Sequence, residues 1–283
     1  MIPLYLIEKD GTEFEFQLPE SMNEMTVKQL EFLAGLVANT DPIQEIKTKM
    51  LLFCMGAKLK RLRKKDVLYR IRAKRHTFKL QPEHLLQAVS HFDYLFIEGQ
   101  GGNCFLDTRL TVCPVSKIRL AGFWTFYAPA EALTDIVYDR YVFLETYFDR
   151  MQEEPAMVYA FLGAMLRPRE KQFRKDRLFL GLMRLLHPRK VVLLSWFFIG
   201  SIRFIKDKFP KVFPESGGSK DKGGTLYDDQ QRLLDFIAKA DPDKKIRMKH
   251  TNLYEVLYSL NFIMEEAEKQ KKDMERLKNR SKR

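Results

Sequence analysis

The chain has 283 residues, 45% of them hydrophobic and 30% charged, the balance of a folded protein able to bury a sizeable core. Three cysteines are too few for a disulfide framework, and the start, Met1 to Tyr5, lacks the basic, apolar and small-residue blocks of a secretion signal. The longest apolar run, Val191 to Ile202, is interrupted by Ser195, Gly200 and Ser201 and is too short to cross a bilayer. A soluble cytoplasmic protein is therefore expected, rather than a disulfide-rich secreted scaffold or a membrane-spanning chain.

In chain order, Leu4 to Ile7 and Thr12 to Leu18 flank an Asp10-Gly11 turn and read as a hairpin, with Phe14, Phe16 and Leu18 alternating against Glu13, Glu15 and Gln17. Thr26 and Gln29 have capping-box spacing ahead of the helical stripe Leu30, Leu33, Leu36 and Val37. A second helix is expected from Asp41-Pro42 to Gly56, with Asp41 as N-cap. A third opens at Gln81-Pro82 and points Leu85, Leu86, Val89 and Phe92 inward. Asn103 to Cys113 suggests a central hairpin with Thr108-Arg109 at its tip, which would set Cys104 opposite Cys113. A disulfide, half a metal site or a pair of reduced thiols could follow, the cytosol favouring the last.

A long helix is expected from Ala128-Pro129 to Met151, then Ala156 to Leu166 and Pro188 to Phe209. The Gly- and Ser-rich stretch Pro214 to Gly224 reads as a linker, followed by a helix over Tyr227 to Ala240 and a last one capped by Asn252 and Glu255. In that last helix Leu253, Leu260, Ala267 and Met274 fall seven apart, with Val256, Ile263 and Leu277 on the neighbouring seam and Gln270 interrupting it. Leu253, Val256, Leu260 and Ile263 are thus candidates for holding a partner helix, or for packing on their own domain. The organisation expected is a compact body over 1–213, a linker over 214–225 and a helical tail over 226–283. The fold class is α+β, predominantly helical, with two or three small antiparallel hairpins.

Charge is concentrated in one place. Lys58 to Lys79 holds eleven basic residues against the single acid Asp66, a net +10 beside +12 for the chain. Within it Val67, Tyr69, Ile71 and Ala73 alternate with Leu68, Arg70, Arg72 and Lys74, which predicts a hairpin over 67–80 turning near Lys74-Arg75-His76. Lys64, Lys65, Arg70, Arg72, Lys74 and Arg75 are the candidate contact residues. They suit an acidic protein surface or, through counterion release, nucleic acid. Tyr69 falls on the apolar side, where it would serve the core rather than stack on a base.

No reaction is spelled out. His84 and His91 are two helical turns apart, and His76 sits among cations. Gly99 to Gly102 lacks a phosphate-cradling spacing, and Ser195 lacks the flanking glycines of a nucleophile elbow. No catalytic residue, cofactor or metal is expected.

Several strings resemble a family of phage and mobile-element proteins of Bacteroidetes that sit among tail genes. They are LPESMNEMT (Leu18 to Thr26), YRIRAKRHTF (Tyr69 to Phe78), FYAP (Phe126 to Pro129), MLRP (Met165 to Pro168), FPKVF (Phe209 to Phe213) and TNLYE (Thr251 to Glu255). The family more often has Trp where Met22 stands and Gly where Ala128 stands. The resemblance implies a non-enzymatic tail-assembly, chaperone-like protein of the host cytoplasm that binds other tail proteins. It carries over no catalytic residue.

Overall fold

A computed structural model describes residues 1–7, 11–60, 69–73, 76–99, 103–122, 124–167, 181–213, 233–235, 237–238 and 241–280; at 59, 60, 69, 70, 277, 278 and 280 the description is of the backbone. These residues form a predominantly helical α+β protein with small antiparallel sheets. They divide into two compact units, Met1–Leu110 with His187–Ile199, and Thr111–Leu186 with Gly200–Arg283. The linker expected over 214–225 lies outside the described residues, as does most of the helix expected at 227–240.

In the first unit β1 (Ile2–Ile7) pairs with β2 (Glu13–Leu18), and Gly11 supplies a φ of 86° in their connection. The helix α1 (Val27–Ala38) begins with the expected capping box: Thr26 Oγ1 accepts from Gln29 N while Gln29 Oε1 accepts from Thr26 N at 2.7 Å. The next, α2 (Ile43–Cys54), starts without a side-chain cap. Asp41 instead pairs with Lys49 at 2.7 Å, so the acid serves the flank of the helix rather than its end. It ends on Gly56 (φ 59°), with Ala57 N bonding to Leu52 O and Gly56 N to Phe53 O, a closure that needs the left-handed region.

Strands β3 (Lys58–Lys60), β4 (Tyr69–Ala73) and β5 (His76–Leu80) make a three-stranded sheet in that order. Pro82 opens α3 (Pro82–Ser90), which buries Leu85, Ala88 and Val89; Leu86, expected inward, is 64% exposed. The apolar faces of the two sheets meet where Phe78 packs edge-on to Phe14 and Phe16, with Leu6, Leu18, Ile71 and Phe92 buried in the same unit. Lys47, buried on α2, holds Asp93 at 2.6 Å.

The central hairpin is corrected. The strand β7 (Cys104–Leu106) pairs backward with β6 (Phe96–Glu98), so Cys104 faces Glu98 instead of Cys113. Gly99 permits this: its N–H bonds to Asn103 O at 2.7 Å, and a Cβ there would lie 2.5 Å from the ring of Phe105. All three cysteines are thiols.

In the second unit β8 (Lys117–Leu120) pairs with β9 (Trp124–Tyr127) around Ala121 and Gly122, both at positive φ. The helix expected from Ala128 begins ten residues later, as α4 (Tyr138–Arg150), followed by α5 (Met157–Met165). Residues 130–137 make one 3-10 turn, Glu131–Leu133, and are held out of an α-helix by local and tertiary bonds. Ala130 N donates to Asp135 Oδ1, Ala132 N to Thr111 O and Leu253 N to Ile136 O, while Ala132 and Leu133 take φ of 48° and 62°.

The long α6 (Pro188–Lys208) contributes its residues through Ile199 to the first unit and the rest to the second. Further along the second unit lie α7 (Pro242–His250) and α8 (Leu253–Arg280). Asn252 caps α8 as expected, its Oδ1 accepting from Tyr254 N at 2.9 Å. The tail is not separate, however. Tyr138 N bonds to Thr251 O, and Leu253, Leu257 and Leu260 are fully buried in the same unit as Tyr138, Tyr141 and Phe161.

Candidate functional site

The basic segment becomes a sheet with two unlike faces. The register aligns Lys58, Arg72 and Thr77 in one row across β3, β4 and β5, and Lys60, Arg70 and Lys79 in the next. Directly opposed residues of an antiparallel sheet share a face. Lys58, Arg72, Thr77 and Lys79 are exposed, whereas Ile71, Ala73 and Phe78 on the alternate positions are buried. Opposed like charges destabilise a sheet by several tenths of a kcal/mol per pair, on the order of 0.2–1 kcal/mol. The apolar reverse face, anchored by Ile71 and by Phe78 against Phe14 and Phe16, offsets that cost.

Of the candidate contact residues, Arg72 lies on the exposed cationic face, and the backbone register puts Arg70 in the adjoining row. Lys64, Lys65, Lys74 and Arg75 lie outside the described residues. Lys58 and Lys79 join Arg72. The signal for β3 was present in the sequence, since Lys58-Leu59-Lys60 alternates with the period of Arg70-Ile71-Arg72.

The candidate partner helix is corrected. Leu253, Val256 and Leu260 are at most 2% exposed and form part of the core of the second unit. Only Ile263 is half-exposed, and from Glu266 onward the described side chains of α8 are exposed, Met274 at 58%. The apolar stripe is therefore spent internally over its first two turns.

Where α6 ends, Lys208 Nζ lies among four aromatic rings: 5.0 Å from Tyr254, 5.3 Å from Tyr258, 5.9 Å from Phe209 and 6.0 Å from Phe204. Buried Arg140 donates from Nε to Ala164 O at 2.6 Å and from Nη2 to Met165 O at 2.7 Å, capping the C-terminus of α5. Burial, with Arg167 nearby, pulls that guanidinium down to about 9. An open groove of about 300 Å³ runs beside Phe32, Gly35 and Arg189. The Arg189 guanidinium lies 3.7 Å from the position a Cβ on Gly35 would take. Burial pushes the thiols of Cys54 and Cys113 up to about 11, which makes them poor nucleophiles at neutral pH. Among the described residues no group of three or more His, Cys, Asp or Glu could hold a metal, and no helix is long and apolar enough to cross a membrane.

No family model, no curated protein and no solved structure matches this chain.

Proposed function

We propose that this chain is a non-enzymatic accessory protein of a phage, prophage or mobile element, working in tail assembly through protein–protein contact in the host cytoplasm. The observation that carries the docking role is the cationic face of β3–β4–β5, where Lys58, Arg72 and Lys79 are exposed in rows without an intervening acid. A face that repels itself is stabilised by an anionic partner, and such complementarity steers encounter as well as register. What supports the tail-assembly role is the ordered series of strings from Leu18 to Glu255 described above. Co-expression with the products of neighbouring tail genes tests the reading. The chain should recover a tail protein that the charge-reversed variant R72E/K79E fails to recover, and equal recovery by both removes the role of the sheet.

The same rows favour a second reading, binding of nucleic acid through Arg70, Arg72 and Lys74. Against it, Phe78 is buried on the opposite face and unavailable for stacking on bases. This reading requires binding to duplex or single strands that falls steeply with salt and disappears in R72E/K79E.

A further inference from the structure

The first unit carries a second outward face of opposite character. In the β1–β2 hairpin the register sets Tyr5 opposite Glu15, Ile7 opposite Glu13 and Pro3 opposite Gln17. These six positions share the face turned away from Phe14, Phe16 and Leu18. Tyr5 is 54% exposed and Ile7 62%, Glu13 and Glu15 are exposed, and none of the six is basic. Gln17 donates to Glu15 and keeps that carboxylate on the same face. The two sheets meet through their apolar sides, at Phe14, Phe16 and Phe78. Among the described residues, the outer face of the β1–β2 hairpin is therefore acidic and aromatic, and that of β3–β4–β5 is cationic.

We infer that these two faces are the halves of one heterologous contact: the Tyr5–Ile7–Glu13–Glu15 face of one copy docks on the Lys58–Arg72–Lys79 face of the next. The inference rests on the reading of the cationic sheet as a protein-docking surface and names its occupant as a second copy of this chain. Three features of the chemistry match.

The charges are opposite, with carboxylates on one side and a guanidinium and ammonium groups on the other, the pairing that gives the strongest hydrogen bonds at interfaces. The spacing agrees as well. Glu13 and Glu15 repeat along β2 at about 6.8 Å, twice the antiparallel rise, and positions 70 and 72 repeat along β4 at the same interval. Finally, an exposed tyrosine beside carboxylates suits arginine, whose planar head stacks on a ring face while it pairs with an acid. Tyr5 and Ile7 supply the apolar area that a purely ionic contact lacks.

Because the two faces differ, each copy that docks on a neighbour still offers its other face. The contact builds rings or open chains rather than a closed pair.

Sedimentation velocity of the full chain over a range of concentration and salt tests this. At low ionic strength the mass should grow with concentration past that of a dimer. It should return to the monomer as salt shortens the screening length from about 10 Å at 0.1 M to about 3 Å at 1 M. E13K/E15K and R72E/K79E should each associate about a hundredfold more weakly, since like charges are then juxtaposed. Mixed one to one, the two variants should associate with each other, because each retains the half that the other has lost. The milder E13Q/E15Q, with circular dichroism and melting compared for all variants, separates loss of contact from loss of fold.

A chain that stays monomeric at low salt overturns the inference, as does a mixture that fails to pair. A monomeric chain whose R72E/K79E variant still loses a tail protein keeps the docking reading and rejects self-docking. A monomeric chain that loses salt-sensitive binding to duplex DNA in R72E/K79E assigns the face to nucleic acid and rejects both.

Discussion

The hydroxyl of Tyr254 donates to the carbonyl of Ala132 at 2.9 Å, joining residues 122 positions apart. Ala132 is buried and sits with Leu133 in the left-handed region, a backbone state that costs a non-glycine residue on the order of 1–2 kcal/mol. The bond therefore helps hold a strained turn against α8. Y254F keeps the ring and leaves the Ala132 carbonyl without this donor. It should lower stability by about 1–3 kcal/mol, read from the urea midpoint of the full chain.

Alkaline pH should destabilise the second unit. Burial pushes Tyr254 up to about 12, and Tyr138 and Tyr141 are raised further, by burial first and by Glu145 beside them. A phenol whose folded pKa is raised favours the neutral form. Its contribution is complete below the unfolded value of about 10 and is lost as pH climbs through the folded value. The phenols should thus lower the urea midpoint above about pH 10, against an opposing rise from Arg140, whose lowered guanidinium favours the fold as pH passes about 9. Y254F should shrink the part of that fall between about 10 and 12.

The two halves of α8 should respond oppositely to mutation. Leu260 is fully buried, so L260A should cost about 2–5 kcal/mol. A chain ended after Lys269 loses a stretch of α8 whose described side chains are all exposed, and keeps Lys211 paired with Glu265 and Glu268. Its melting should match the full chain within about 1 kcal/mol. A large loss on truncation would show that the outer half of α8 is packed rather than solvated.

One thiol should react ahead of the others. Cys104 is exposed, while burial raises Cys54 and Cys113 to about 11 and keeps both protonated at neutral pH. Titration with a disulfide reagent at neutral pH should show one rapid equivalent, absent from C104S, and two slow ones that quicken in urea.

Legibility in the sequence followed the range of the interactions involved. The capping box of Thr26 and Gln29, the first hairpin and the basic hairpin were readable because each is set by neighbours in the chain. The segment 130–137 was misread as helix because its amphipathic pattern is outbid by bonds from Thr111, Asp135 and Tyr254, two of them far away in sequence. Cys104 was assigned to the wrong neighbour because a strand can pair backward or forward, and only the tight approach at Gly99 decides between them. The stripe Leu253, Val256 and Leu260 looks the same whether a helix packs on its own body or on a partner. Composition revealed the cationic site, but the rows that include Lys58 and Lys79 required the register.

Lys208 also bears on solubility. Phe204 is 44% exposed and Tyr258 54%, and with Phe262 at 60% they would form a greasy strip on the second unit. With the Lys208 ammonium among these rings, Phe204 and Tyr258 border a charge that carries its own hydration. That makes Lys208 a gatekeeper against clumping, in the way charged residues flank sticky segments elsewhere. Acetylation at this one position, or K208M, would keep the fold intact while turning a wettable strip into an adhesive one.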